Sequence, residues 1–499
     1  MTSIQQKYIL AIDQGTTGTR GMLLNKTGRI IASAYQEFPQ YYPQPGWVEH
    51  NPIEIWQSTV SVFRKTIHQS GIQAQQIASI GITNQRETTV LWDRYTGKPV
   101  YNAIVWQCRR TTPNCDKLKQ SGWRDKIQQK TGLIIDAYFS GTKIQWILDN
   151  VPGARKKAEQ GALCFGTIDS WLMWNLTGGK IHATDYTNAS RTMLFNLQTF
   201  KWDPDILRKL EIPASILPEV KKSATMYGYT VKVAGLPSGI PISGVIGDQQ
   251  SALFGQGCFS PGTAKNTYGT GCFFLFNLGK KLRYSKHGLI TTIACDKYGE
   301  PVYALEGSVF IAGAAIQWLR DGLGLIKSAD ETESYALNVP DTHGVYIVPA
   351  FVGLGAPYWN MNARGGILGL TRGVTKSHLI RATLESIAYQ TKDLITAVTA
   401  DAKTKIKKLK VDGGAARNNF LMQFQSDILN LPIERPQNIE STALGAAYLA
   451  GIGIGFWTPE QISQFCSRQL KQFTPHMQTN ERNELYTGWK KAVAKIVQN

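Results

Sequence analysis

A turn near the start of the chain carries residues that suit phosphate binding. Asp13, Gly15, Thr16, Thr17 and Arg20 follow the first apolar run. Glycine lets backbone amides approach an anion, threonine hydroxyls add donors, and arginine pairs with phosphate in a forked geometry. An aspartate at a strand end can hold a hydrated Mg²⁺. The same residues also fit an ordinary glycine turn with local hydrogen bonds, so this turn alone leaves phosphate binding open.

Two further glycine turns have a similar character. Residues 268–271 are Tyr-Gly-Thr-Gly and residues 412–414 are Asp-Gly-Gly, each at the end of a predicted strand. Three such turns around one cleft can clamp the phosphates of a nucleotide. The sequence has no Walker A motif, no well-formed GxGxxG and no protein-kinase signature, which disfavours P-loop enzymes, Rossmann dehydrogenases and protein kinases.

Asp248 is the candidate general base. It follows the apolar run 240–246 and precedes Gln249 and Gln250. A carboxylate at a strand end can accept the proton of an attacking hydroxyl, late in a phosphoryl transfer whose rate depends mostly on positioning and charge stabilisation. The alternative is an N-cap for a helix over residues 251–254.

Arg86 and Glu87 are adjacent, directly after the predicted strand 77–83. In an extended strand their side chains would point to opposite faces, so both can serve one ligand only if the chain leaves strand geometry there. A glutamate acceptor and an arginine donor would suit the hydroxyls of a polyol, with Trp106 and Tyr138 against its carbon skeleton. The alternatives are a surface ion pair and two core aromatic residues.

The elements that must position these residues predict an α/β protein. Residues 8–13, 21–24 and 30–35 form three closely connected strands, as in an antiparallel meander. A helix follows, with Asn51 as N-cap and Pro52 at its first position. We expect Glu54 to complete a capping box. The helical spacing predicts one buried face made of Ile53, Trp56, Val60, Phe63 and Ile67.

The order of strand, Gly/Thr turn, strand and helix recurs around the second glycine-rich turn, residues 267–272, which predicts two similar halves. We place the boundary at residue 255, with one domain over 1–254 and a second over 255–499. The first domain would carry the hydroxyl-binding site and the turn with Asp13 to Arg20, which we call the phosphate turn. The second domain would bind the nucleotide.

Composition excludes several classes of protein. With 42% hydrophobic residues and no apolar run long enough to span a membrane, the 499-residue chain is predicted to be folded and without a membrane span. The polar segment 1–7 and an odd number of cysteines, seven, predict a reducing, cytoplasmic location.

The net charge of +18 is spread along the sequence. Its one dense run, residues 403–410, is interpreted as a solvated turn before a strand, with a polyanion site as the alternative. A positive field would also steer an anionic small substrate. A nucleic-acid binder remains an alternative without a recognition motif to support it.

Longer segments resemble the FGGY family of carbohydrate kinases over almost the whole chain. The NQRE and VWQCRR stretches are more similar to its glycerol-phosphorylating branch than to its ketose branches. The segments that carry the resemblance are DQGTT (13–17), ITNQRETT (82–89), NAIVWQCRR (102–110), YFSGTKIQWILD (138–149), TDYTNASRTMLFN (184–196), GDQQSALFGQ (247–256), KNTYGTGCF (265–273) and VDGGAARNNFLMQFQSDIL (411–429).

The resemblance implies two duplicated actin-like, ribonuclease-H-like domains around a cleft, and Mg-ATP-dependent phosphorylation of glycerol to sn-glycerol 3-phosphate. It implies Asp248 as general base, with Asp13 and Asp248 organising Mg²⁺. The implied glycerol site consists of Arg86, Glu87, Trp106, Tyr138, Asp248, Gln249 and Phe273. The implied ATP contacts are Thr16, Thr17, Gly18, Arg20, Thr270, Gly313, Gln317, Gly414 and Asn418.

The resemblance also implies a homodimer or homotetramer. The alternatives are an FGGY kinase for another polyol or ketose and a non-catalytic ATP-binding protein of the same fold. One departure is Gly18, where many members of the glycerol branch have serine. A glycine there removes a hydroxyl donor, so its phosphate contact can come only from the backbone.

A second departure predicts a difference in regulation. Bacterial members that are inhibited by fructose 1,6-bisphosphate have an arginine in the loop before the IPISG segment, whereas loop 233–240 here is VAGLPSGI, with Gly239 near that place. We expect weak or no inhibition by this effector, because the guanidinium that would pair with its phosphate is missing. Inhibition at low effector concentration in an activity titration would contradict this prediction.

Overall fold

The structure, a computed structural model, describes residues 7–233 and 235–498. The polar N-terminal residues 1–6, and Ala234 in loop 233–240, lie outside the described residues. The elements up to residue 255 are β1 (Tyr8–Gln14), β2 (Gly18–Asn25), β3 (Ile30–Glu37), β4 (Glu49–His50), α1 (Pro52–Ser70), β5 (Ile77–Asn84), β6 (Val90–Asp93), β7 (Ala103–Ile104), α2 (Thr112–Gln120), α3 (Arg124–Thr131), α4 (Ser140–Asn150), α5 (Ala154–Glu159), β8 (Leu163–Gly166), α6 (Ile168–Leu176), β9 (Ala183–Asp185), α7 (Tyr186–Ala189), β10 (Phe195–Asn196), β11 (Lys201–Trp202), α8 (Pro204–Lys209), β12 (Glu219–Lys221), β13 (Ala224–Tyr229), β14 (Pro241–Gly247) and α9 (Asp248–Gly255).

The elements that follow are β15 (Ala264–Tyr268), β16 (Cys272–Gly279), β17 (Ile290–Cys295), β18 (Pro301–Val309), α10 (Gly313–Gln317), α11 (Glu331–Leu337), β19 (Tyr346–Val348), β20 (Gly366–Leu368), α12 (Lys376–Ala402), β21 (Leu409–Asp412), α13 (Asn419–Leu429), β22 (Ile433–Pro436), α14 (Ser441–Gly453), α15 (Pro459–Cys466), β23 (Leu470–Phe473) and α16 (Thr479–Val497).

Two mixed sheets form the framework and share one connectivity. The first has the order β13-β14-β5-β1-β2-β3, with β1, β2 and β3 antiparallel and β1, β5 and β14 parallel. The second has the order β17-β18-β16-β15-β21-β22-β23, with β15, β16 and β18 antiparallel and β15, β21 and β22 parallel. The predicted α/β class, the opening meander and the repeated pattern are therefore confirmed, while the boundary at residue 255 stays a prediction.

Helix α14 joins the two halves. Its residues belong to the second half of the sequence, but it packs on β14, β5 and β1 of the first sheet and on α9. Glycines make this close approach possible. A Cβ atom at Gly81 would overlap the backbone oxygen of Ala446, and one at Gly445 would overlap that of Ser251. The backbones therefore touch where side chains would otherwise separate them.

Helix α1 corrects part of the sequence prediction. Asn51 is its N-cap and accepts from the amide of Ile53, with Pro52 in the first turn, as predicted. Glu54 instead accepts a hydrogen bond from the Tyr41 hydroxyl at 2.8 Å, so the predicted capping box was wrong.

The predicted apolar face of α1 was also partly wrong. Of the five predicted residues only Phe63 is fully buried, and Ile53 is 40% exposed. The face that packs on the sheet also includes small polar residues. The Thr66 hydroxyl lies only 2.6 Å from the position that a Cβ atom of Gly21 would take, so α1 approaches β2 closely where glycine and small polar side chains meet. The buried residues of α1 are Pro52, Ile55, Ser58, Thr59, Val62, Phe63 and Thr66.

All seven cysteines have free, buried thiols. Among residues 7–233 and 235–498, no helix combines the length and apolarity that a membrane crossing requires.

We predict that Gly445→Ala destabilises the protein by about 3 kcal/mol, because the new methyl group would overlap backbone that cannot move without separating α9 from α14. Gly373→Ala is the control, since Gly373 is exposed and its nearest non-neighbouring atom, His343 Nε2, lies 3.2 Å from the added Cβ. Thermal and denaturant unfolding would measure both. Equal stability of the two variants would contradict close backbone packing at α14.

Candidate active site

The parallel strands of each sheet bring the singled-out turns together. Strands β1, β5 and β14 are parallel neighbours, so the phosphate turn, the Arg86–Glu87 pair and Asp248 follow their carboxyl ends at one edge of the first sheet. Strands β15 and β21 are parallel in the second sheet, and the turns 269–271 and 413–414 follow them in the same way. The order of the strands therefore explains why these turns lie at the edges of the two sheets, which the spacing in the sequence alone did not indicate.

The backbone after β5 meets the condition set for Arg86 and Glu87. Strand β5 ends at Asn84, and Glu87 has a φ of 61°, in the left-handed region. This conformation is costly for a residue other than glycine and is found preferentially at functional sites. Both side chains now share one side, with Arg86 Nε 3.9 Å from Glu87 Oε1. Both residues are buried, which excludes the surface ion pair.

Arg86 is held by carboxylates from both sheets. Its guanidinium nitrogens NH1 and NH2 donate to Glu306 of β18 at 2.6 and 2.9 Å, and its Nε lies 3.0 Å from Asp248 Oδ1. Gln250 accepts a further bond from NH1 at 3.0 Å. Burial would lower the pKa of Arg86, but Glu306, Glu87 and Asp248 hold that pKa well above its ordinary value.

Arg191 completes this network and was missed by the sequence reasoning. Its Nε donates to Glu87 at 2.5 Å, its NH2 donates to Glu306 at 3.1 Å, and its guanidinium lies 5.6 Å from the Tyr138 ring centroid. Burial would raise the pKa of Glu306, but Arg191 and Arg86 lower it to about 2. Burial raises the pKa of Glu87 despite the same two arginines. Arg86, Glu87, Arg191 and Glu306 are called the charge network below.

A charged residue inside an otherwise apolar strand was the available signal for Glu306, because such a residue is buried only with partners. The signal for Arg191 was weaker. It lies in a segment quoted for the resemblance, but nothing in its local spacing marks it as a partner of Glu87.

Trp106 and Tyr138 form a half-buried corner beside the charge network. Their ring centroids are 5.5 Å apart at 86°, an edge-to-face contact. Trp106 Nε1 donates to Thr16 Oγ1 at 2.9 Å, which connects this corner to the phosphate turn. Phe273 is half-buried at the start of β16 and pairs with Ser308 of β18, two residues from Glu306. The aromatic residues thus lie beside the charges rather than in a separate core.

Asp13 of β1 and Asp248, the first residue of α9, lie close enough at the edge of the first sheet for their charges to interact. Burial and the negative charge of Asp248 raise the pKa of Asp13 to about 7, against the effect of Arg20. Two neighbouring carboxylates repel each other and favour a cation between them. Mg²⁺ is commonly held by one or two carboxylates, with phosphates and water as its other ligands, so these residues fit it. Within the described ranges, no group of three His, Cys, Asp or Glu side chains forms a protein-only metal site.

Asp248 is the first residue of α9, and its N-cap is Gly247. The Asp248 side chain is 26% exposed and contacts Arg86, so the interpretation as a helix cap does not account for it. Gln249 accepts from Lys265 Nζ at 2.6 Å. Burial lowers the pKa of Lys265 to about 8, opposed by Asp412 and Asp248. Asp248 therefore contacts Arg86, which follows a strand of the first sheet, and Gln249 contacts Lys265 of the second sheet.

Tyr35 of β3 lies against the phosphate turn, next to Gly18. A Cβ atom at residue 18 would lie 2.5 Å from the Tyr35 ring and 2.8 Å from the Gln36 carbonyl oxygen, so a serine requires both the exposed Tyr35 side chain and the β3 backbone to shift. The Tyr35 hydroxyl is 3.3 Å from Thr17 Oγ1 and supplies a hydroxyl close to the turn. Arg20 lies 3.3 Å from Glu440 and 5.6 Å from the centre of the Tyr35 ring. Arg20 is thus a bridge to the second half in this structure.

Four of the predicted nucleotide contacts line one cavity of about 230 Å³: Thr270, Gly313, Gln317 and Gly414. Gly313 is close to the turn 269–271, since its amide donates to the Gly269 carbonyl at 3.0 Å. Asn418 is not among the lining residues. Its side chain caps α13 through the Leu421 amide and donates to Thr332, so the structure does not bring it to the cavity.

Comparison with known proteins agrees with this arrangement. The model of the N-terminal domain of the FGGY family of carbohydrate kinases matches residues 8–255, and that of its C-terminal domain matches residues 264–454. The glycerol kinase of Caldanaerobacter subterraneus subsp. tengcongensis is 61% identical over 98% of this chain and 99% of its own length. The glycerol kinase of Bacillus subtilis is 59% identical over 98% of each chain.

The fold has a close counterpart among solved structures. A crystal structure of Plasmodium falciparum glycerol kinase with ADP matches with a TM-score of 0.93 at 39% identity, over 99% of both chains. With both family domains matched and relatives of this identity over nearly their full length, the chain belongs to the FGGY family of carbohydrate kinases.

Proposed function

We propose that this chain transfers the γ-phosphoryl group of ATP to glycerol and forms sn-glycerol 3-phosphate. The observation that carries this proposal is the buried Arg86–Glu87 pair beside Asp248, at the edge where the phosphate turn lies. A paired donor and acceptor suit adjacent hydroxyls of a small polyol, and the relatives with 59–61% identity are glycerol kinases.

Each residue then has a distinct role. Arg86 donates to and Glu87 accepts from glycerol hydroxyls, Gln249 adds an amide, and Trp106, Tyr138 and Phe273 cover the carbon skeleton. Asp248 accepts the hydroxyl proton as the new oxygen–phosphorus bond forms and the bond between the β- and γ-phosphates breaks. Because little covalent chemistry falls to the protein, orientation and charge stabilisation supply most of the rate.

The nucleotide side combines both sheets. Thr16, Thr17, the Gly18 backbone and Arg20 bind phosphates, which requires Arg20 to exchange Glu440 for a phosphate. Thr270, Gly313, Gln317 and Gly414 hold the rest of the nucleotide, and Asn418 supports them through α13. Asp13 and Asp248 would hold Mg²⁺, which neutralises phosphate charge when bound.

This division of labour corresponds to domains over 1–254 and 255–499 that close over the substrates and exclude water, which would otherwise accept the phosphoryl group. We further propose a cytoplasmic location and a homodimer or homotetramer, on the grounds given by the sequence.

Asp248→Asn tests the base. We expect kcat for glycerol-dependent ADP release to fall by about 10³-fold, with the affinity for ADP kept, because the amide cannot accept the hydroxyl proton. Asp330→Asn, at an exposed aspartate before α11, is the control. Mass analysis must identify glycerol 3-phosphate as the product of the unaltered enzyme. Turnover with another polyol or ketose, but not with glycerol, would contradict the substrate assignment.

Glu306→Gln tests the charge network. We expect kcat/KM for glycerol to fall by about 100-fold, mainly through KM, because Arg86 loses the ionic partner that orients it. KM for ATP should change by less than about twofold, since Glu306 faces the glycerol side.

The control for Glu306→Gln is Glu385→Gln, which breaks the pair of the buried Glu385 with the half-buried Arg381 at 2.9 Å in α12. Both variants replace a buried carboxyl group by an amide, but only Glu306→Gln should raise KM for glycerol. A rise of KM for both substrates in both variants would indicate a general loss of structure instead.

A further inference from the structure

A second, larger cavity lies at the opposite end of the helix that begins with Asp248. It has a volume of about 1010 Å³ and is lined by Gly255 and Gln256 at the end of α9, by Lys410 of β21, by Arg29 in the β2–β3 turn and by Arg468 after α15. We call it the basal cavity. None of the residues placed in the active site lines it.

The basal cavity carries an excess of positive charge. Lys410 Nζ donates to the Gln256 carbonyl at 2.5 Å and Arg468 NH1 to the Thr27 carbonyl at 2.9 Å, both neutral acceptors. Within residues 7–233 and 235–498, none of Arg29, Lys410 and Arg468 forms an ion pair. Glu434 is the one acidic residue of the lining, and Lys408 neutralises it at 2.7 Å. Among the described residues, these three cations therefore line one cavity without an ion-pair partner.

The other residues that line the cavity indicate which chemical groups a ligand would have besides its negative charge. The lining also includes apolar and aromatic residues, namely Leu444, Tyr448, Phe465 and Leu470, and three residues with side-chain amides, Gln437, Asn438 and Gln469. A dianion can accept charge-assisted hydrogen bonds from several guanidinium and ammonium groups at once. An apolar or ring-shaped part of the same ligand would pack against the apolar lining residues. A phosphorylated organic molecule of metabolite size combines these features. The lysine run 403–410 contributes Lys410 to this site, and its other members do not line it.

The basal cavity is coupled to the catalytic elements by contacts rather than by proximity alone. Lys410 donates to the carbonyl of Gln256, the C-cap residue of α9, and Cys466 Sγ lies 3.3 Å from the Gly255 carbonyl. Asp248 is the first residue of the same helix. Lys410 also precedes Asp412 on β21, whose end begins the nucleotide turn 413–414. An anion that attracts Lys410 would therefore act on the general base and the nucleotide turn together.

We propose that the basal cavity is an effector site for a phosphorylated organic molecule, whose binding changes turnover through α9 and β21. Binding is independent of the proposed function, and only the effect on turnover rests on it.

Calorimetric titration with phenyl phosphate tests the site, with ADP and glycerol at saturating concentrations to occupy the active site. We expect one saturable site in the unaltered protein, weaker binding of inorganic phosphate and no binding of phenol. The double variant Arg29→Met/Arg468→Met should bind phenyl phosphate at least about tenfold more weakly. Lys405→Met/Lys407→Met, which removes two exposed lysines outside the lining, should bind like the unaltered protein.

If the double variant misfolds, Arg29→Glu in the exposed β2–β3 turn repeats the test with one substitution. Absence of saturable binding, or equal affinity in the cavity variant and the lysine control, would overturn the site.

Steady-state kinetics test the effector role. Phenyl phosphate at saturation should change kcat or KM for ATP in the unaltered enzyme and not in Arg29→Met/Arg468→Met, whose activity without phenyl phosphate should be normal. Unchanged kinetics with the cavity saturated would overturn the coupling through α9 and β21. If the chain phosphorylates another acceptor, or none, the binding titration still decides whether the site exists.

Discussion

The burial of two arginines side by side is the constraint on which the site depends. Arg86 and Arg191 are 2% and 0% exposed, and such charges are stable inside a protein only when carboxylates and further hydrogen bonds compensate them. Glu87 comes from the same loop as Arg86, but Glu306 comes from the second sheet. The two halves must therefore meet at this point, where Glu306 of β18 pairs with Arg86 and Arg191.

The duplicated connectivity accounts for the position of the singled-out turns without any element being unusual. In each sheet a meander is followed by parallel strands, so successive carboxyl ends, and the turns that follow them, lie at one edge. Helix α14 then fixes the first sheet to the second half through glycine contacts with β5 and α9. Helix α9 has the general-base candidate at one end and a cationic cavity at the other, and residues of the second half donate hydrogen bonds near both ends.

The departures from sequence expectation share one cause. Ile53, Glu54, Gly18 and Asn418 were each interpreted from local spacing or from a family pattern. In the structure each is governed by a partner elsewhere: the sheet under α1, Tyr41, Tyr35 and Thr332 respectively. A helical period gives the spacing of a buried face, but the neighbour it packs on sets which residues that face includes.

The sequence by itself determined the α/β class, the meander, the recurrence in two halves and the residue types at each turn, because hydrophobic periodicity and glycine positions are local properties of the chain. It also indicated that Arg86 and Glu87 can act together only outside strand geometry. Only the tertiary structure decided that the chain leaves the strand there, that Arg191 and Glu306 complete the charge network, and that Lys410 donates to the C-cap carbonyl of α9. Those pairings join residues that are 104 to 220 positions apart for the charge network and 154 for Lys410, and no local pattern encodes a partner at that distance.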